Sequence, residues 1–111
     1  MSDLSLIVSV DRIAIKGEIN SQNWADVRRA LAKPAFRGQQ LLLDLRQLDI
    51  EGGEVLAELV DGLRRLRKSV ASLTLAGAPQ ILCHNLYRVG ALDGSGRIEL
   101  IDMRQDEPAA S

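Results

Sequence analysis

The chain has 111 residues, 46% of them apolar and 26% charged, which is enough for one globular domain with a core of its own. Its 14 Lys and Arg stand against 15 Asp and Glu, for a net charge of −1. Phosphate affinity comes chiefly from excess cations, so the balance argues against a protein that works by electrostatic binding to nucleic acid or to anionic lipid. The single cysteine cannot form an internal disulfide and fits a reducing cytoplasm. No run approaches the ~18 apolar residues that would span a bilayer, so direct membrane insertion is not expected. The first eleven residues carry no basic segment and no long apolar run, and are not expected to be a signal peptide.

Residues 4–10 alternate Leu4, Leu6, Val8 and Val10 with Ser5, Ile7 and Ser9, which predicts a strand. Asp11 and Arg12 allow only a tight reversal before a second strand that begins at Ile13 and closes on Gly17-Glu18-Ile19-Asn20. Asn20 or Ser21 is suited to cap a first helix, whose apolar stripe is Trp24, Val27 and Leu31. Pro34 stops this helix near Ala32, and Phe36-Arg37-Gly38 is expected as a loop. The apolar run Leu41-Leu42-Leu43 within residues 40–45 suits a central strand buried on both faces.

Asp49 is expected to cap the second helix, with Glu51 in its first turn. Val55, Leu56, Leu59, Val60, Leu63 and Leu66 give this helix the clearest periodicity in the chain. Its charges run from acidic to basic, which suits the helix dipole, and Asp61 is spaced to pair with Arg65. Leu73-Thr74-Leu75-Ala76 predicts a short strand. Pro79 opens a third helix that points Ile81, Leu82, Leu86 and Val89 at the core and ends at Gly90. Residues 98–101 make the last strand. The order β-β-α-β-α-β-α-β predicts an α/β fold with a mixed, mostly parallel sheet and helices packed on it. The domain is expected over residues 1–103, followed by a flexible tail over 104–111.

Few residues suggest chemistry. Glu51-Gly52-Gly53-Glu54 stands where a phosphate loop would, between a strand and a helix, but lacks the G-x-x-x-x-G-K-[ST] and G-x-G-x-x-G patterns, and its two glutamates would repel an anion. Cys83 and His84 are neighbours on one helix and point about 100° apart, so they neither share a metal nor form a nucleophile–base pair. Asp44 ends the central strand, where open α/β sheets bind ligands. It is a ligand candidate, or an acceptor for backbone N–H groups of the following loop. No cofactor, metal site or catalytic residue is expected, and a non-enzymatic role follows.

Gly17-Glu18-Ile19-Asn20, Leu42-Leu43-Asp44-Leu45, the small-residue loop before Val55-Leu56, and Leu73-Thr74-Leu75-Ala76-Gly77 resemble, in that order, the pattern of the STAS domain. That family includes bacterial anti-sigma factor antagonists, domains of sulfate transporters and a subunit of lipid-trafficking ABC transporters. The resemblance spans residues 4–101. It implies a STAS-like fold and a regulatory domain that binds a cytoplasmic protein. The implied partner is an anti-sigma factor with a kinase-like ATPase fold or, alternatively, an ABC transporter ATPase; a homodimer stays open. In signalling members a Ser or Thr at the start of the second helix is phosphorylated. Here that position falls at Gly53 or Glu54, so the phospho-switch is absent and Glu54 supplies a fixed negative charge. The partner-binding surface is expected on Asp49, Glu51, Gly52, Gly53, Glu54, Glu58, Asp61 and Arg65, the last residues following one face of the helix. A small-ligand sensor with a pocket beside Asp44 is the remaining alternative.

Overall fold

In the computed structural model, which describes residues 4–102, the chain runs β1 (Ser5–Val8), β2 (Arg12–Ile19), α1 (Trp24–Leu31), β3 (Gln40–Asp44), β4 (Leu48–Ile50), α2 (Gly52–Ser69), β5 (Ser72–Ala76), α3 (Gln80–Arg88) and β6 (Glu99–Ile101). The tail expected over 104–111, and the boundary before it, lie outside the described residues. The six strands form one mixed sheet in the order β1-β2-β3-β5-β6, with β4 paired to β2. β1 and β2 are antiparallel and the other pairs parallel. The α/β class and the alternating order follow the sequence expectation, with β4 added. Among the described residues no helix is long and apolar enough to cross a membrane.

Each parallel strand is laid beside the last in a single direction across the sheet. Right-handed crossovers then place α1, α2 and α3 on one face. Burial agrees: Ile13, Ile15, Leu41, Leu43, Leu73 and Leu75 point to that face and are each 2% exposed or less. Their neighbours Ala14, Leu42 and Thr74 point the other way and are only half-buried. This corrects the expectation that β3 is buried on both faces. The continuous Leu run arises because Leu42 spans the uncovered side, beside Arg12 and Thr74 in register.

The register of β2 explains β4. Residues 12–14 of β2 pair with β3, whereas Gly17–Ile19 pair with β4. Between β3 and β4 the chain steps out over Leu45-Arg46-Gln47 and returns to β2, where the Gly17 N–H donates to the Gln47 carbonyl at 2.9 Å. Asp49 is therefore not the cap of α2 but the middle of a strand, opposite Glu18. Glu51 occupies the cap position instead.

Further differences are local. α1 starts at Trp24, later than a cap at Asn20 or Ser21 would give. Asn20 and Asn23 bond each other's backbone: Asn20 Oδ1 accepts from the Asn23 N–H at 3.0 Å and Asn23 Oδ1 accepts from the Asn20 N–H at 2.9 Å. Such side-chain turns compete with helix backbone and delay its start. Phe36 is not in a loop: it ends a 3-10 turn (Pro34–Phe36) and is 2% exposed in the core. Along the β1 edge, Leu4 and Leu6 pack on the core, whereas Val8, at the end of the strand, and Val10, beyond it, are exposed. α3 buries Leu82 and Leu86 and leaves Ile81 and Val89 in solvent. The last helix lies over the sheet margin and has a partner on only one flank. Gly90, with φ +76°, follows α3 as expected.

Candidate functional site

The loop between β4 and α2 is accessible. Asp49, Glu51, Gly52, Gly53 and Glu54 are all exposed, and only Ile50 between them is half-buried. Two constraints hold the loop in place. Glu51 donates its N–H to the Ile19 carbonyl at 3.0 Å, tying the loop to the end of β2. The Asn23 amide donates to the Glu18 carbonyl at 2.9 Å, which fixes the adjoining corner. Gly52 has φ +79°, a left-handed conformation that lets the chain turn sharply from β4 into α2. Gly53 needs no such conformation, and a Cβ there would meet nothing within 4 Å. The position that the family resemblance aligns with a phosphorylated hydroxyl is thus sterically open. With Glu18 opposite Asp49, and Glu54 in the first turn of α2, this end of the molecule is acidic.

Glu54, Glu58, Asp61 and Arg65 continue from the loop along α2, all exposed. They span about 16 Å of helix axis at the standard rise. Asp61 and Arg65 form the expected pair at 3.2 Å. Glu58, Asp61 and Arg65 also form one wall of a groove between α1 and α2, whose other wall brings Arg28, Lys33 and Arg37 opposite them. These cations, one on α1 and two in the segment after it, were not singled out as site residues by the sequence reading. Their convergence on α2 depends on helix packing and has no short-range signal.

Asp44 is at the end of β3, as expected, but its carboxylate is occupied. Arg46 reaches it through Nε at 3.0 Å and Nη2 at 2.8 Å, and through its backbone N–H at 3.2 Å. Arg12 adds a contact at 3.3 Å. The Arg46 guanidinium holds the acid down to a pKa of about 2, against the opposing effect of burial, with Arg12 helping. One of these bonds is from the backbone of the following loop, as the structural reading allowed. The arginine side chains were not anticipated. They bond both carboxylate oxygens of Asp44 at the end of β3. Gly77, with φ +65°, packs against the same arginine. A Cβ there would run into the Arg46 side chain and lie 3.2 Å from its Cα.

Cys83 is half-buried and contacts the Ala78 carbonyl at 3.8 Å. Burial pushes its thiol pKa up, so it stays protonated at neutral pH and is a poor nucleophile. His84 is exposed. Among the described residues no group of three or more His, Cys, Asp or Glu side chains is placed to hold a metal ion. No protein-family model matches the chain, and no curated protein matches it.

Proposed function

We propose that this chain is a STAS-like regulatory domain that acts in the cytoplasm by docking on a protein partner, through the 49–54 loop and the exposed face of α2. The observation that carries the reading is the anchored, solvent-facing acidic loop at the N-terminal end of the longest helix, continuous with Glu58, Asp61 and Arg65. Support for the STAS-like reading is the order of elements, the mixed sheet, and the position of the Gly17–Asn20 motif beside the loop. A fixed acidic patch gives a partner orientation and a fast encounter more than raw affinity. Gly53 has no hydroxyl, so docking here does not follow a phosphorylation cycle at that position. This favours a constitutive adaptor. The partner is an anti-sigma factor with a kinase-like ATPase fold or, as the second reading that the missing hydroxyl favours, the ATPase of an ABC transporter.

The test begins with affinity capture from native cells and identification of the captured protein, followed by measured affinity for that protein. Glu54→Arg and Asp61→Arg are expected to weaken binding at least tenfold and to change unfolding free energy by no more than ~0.5 kcal/mol, as exposed sites do. Unchanged affinity in both variants would remove the docking surface from this face. Capture of an ATPase subunit of a transporter would select the second reading.

A further inference from the structure

The groove between α1 and α2 has a volume of about 590 Å³. That lies within the ~300–1,000 Å³ of small-molecule sites. Its base is apolar: Trp24 and Leu31 from α1 meet Gly62 and Leu66 from α2. The helices approach closely because position 62 has no side chain; a Cβ there would be 3.2 Å from the Trp24 ring. Arg28, Arg29, Lys33, Arg37 and Arg65 gather around this base, against Glu58 and Asp61. Arg65 is neutralised by Asp61, and Arg29 by Asp26 at 3.0 Å. Arg28, Lys33 and Arg37 then stand against Glu58 alone, which leaves the rim net positive.

A second observation concerns the same residue that floors the groove. Trp24 is 8% exposed, and its indole N–H is buried with no hydrogen-bond partner among the described residues. A buried donor left unpaired costs about 1–3 kcal/mol. That nitrogen is fully buried, so a molecule in the groove meets the ring rather than the N–H. An apolar base and a cationic rim complement one kind of molecule: an apolar body that carries a negative charge.

We propose that the α1–α2 groove is a binding site for a small amphipathic organic anion, with a carboxylate or phosphate head held by Arg28, Lys33 and Arg37 and an apolar body lying on Trp24, Leu31 and Leu66. The 49–54 loop is not part of this site, whereas Glu58, Asp61 and Arg65 line both the groove and the docking face proposed above; the head-group residues Arg28, Lys33 and Arg37 belong to the groove alone.

Trp24 is the only tryptophan in the sequence, so its emission reports this groove alone. The experiment titrates the full chain with octanoate and with octyl phosphate, with octanol as the neutral control. A saturable change in Trp24 emission is expected with both anions, at concentrations at least about tenfold below any effect of octanol, tenfold being the resolution at which a charge contribution separates from apolar burial. Arg28→Glu with Lys33→Glu should weaken the response to the anions about tenfold or more. Arg64→Glu with Lys68→Glu changes net charge equally on exposed positions outside the groove and should leave it within about twofold. Preference for octanoate over octyl phosphate, or the reverse, identifies the head group. The proposal is overturned if no saturable change occurs below about 10 mM, if octanol matches the anions, or if the two double reversals act alike. The comparison of anion with octanol needs no variant, so a poorly folding variant does not rescue the idea.

Discussion

Asp44 shows how one carboxyl can organise a strand end. Its pKa of about 2 lies below the ordinary 3.8 because the charged form is bonded by Arg46 and Arg12. The unfolded chain therefore takes up a proton at higher pH than the native one does. Stability from this group is complete above about pH 5, declines as pH falls through 4 and 3, and is gone below about 2, a contribution on the order of 2 kcal/mol. Urea unfolding measured between pH 5 and 2 is expected to show a shallower pH dependence in Asp44→Asn than in the parent. Equal slopes would mean that the arginine contacts do not persist in solution. The sequence reading found Asp44 as the notable acid but had no means of finding its partners. Arg12 is 32 residues away in the chain. Arg46 is only two residues on, but it lies past the end of β3, where no strand period fixes its direction.

At the scale of the element, α2 was the most legible part of the chain, because its six apolar positions repeat with helical period and each is buried. Its end is secured by Arg67, which donates to the Val70 carbonyl at 3.2 Å and to the Arg97 carbonyl at 2.8 Å, joining the helix C-terminus to the segment before β6. The sequence showed only that basic residues cluster there. Leu63 is fully buried and Ile81 is 52% exposed. Leu63→Ala is therefore expected to cost ~2–5 kcal/mol through the cavity it leaves, and Ile81→Ala less than ~1 kcal/mol. Chemical denaturation of the two variants side by side checks both, and comparable losses would contradict the orientation of α3. By periodicity alone Ile81 and Leu82 look equivalent. Which one is covered depends on where the sheet ends beneath the helix, and that is a tertiary fact. β4 was missed for a different reason. Three residues, one of them an aspartate, read more readily as a helix cap than as a strand, and only the presence of the free half of β2 makes them one.

For the molecule as a whole, the α/β class and nearly every element were recoverable from alternation and punctuation, whereas the groove was not. It needs Trp24 and Gly62 to meet across two helices, and nothing local in either segment announces that. The sheet also grades in stability from its middle outward. β3 and β5 carry fully buried Leu43, Leu73 and Leu75, and β6 is three exposed residues at the margin. Amide hydrogen exchange is expected to be slowest at residues 41–43 and 73–75 and fastest, among the strands, at Glu99–Ile101. Uniform protection across the sheet would argue against that gradient. Because strand positions advance in one direction, the two ends of the described chain leave from opposite margins, four strand spacings or roughly 19 Å apart. A circular permutant would thus need a bridge of at least about six extended residues. With such a bridge, new termini could be opened in the exposed stretch after α3, leaving both the acidic loop and the helix seam covalently intact.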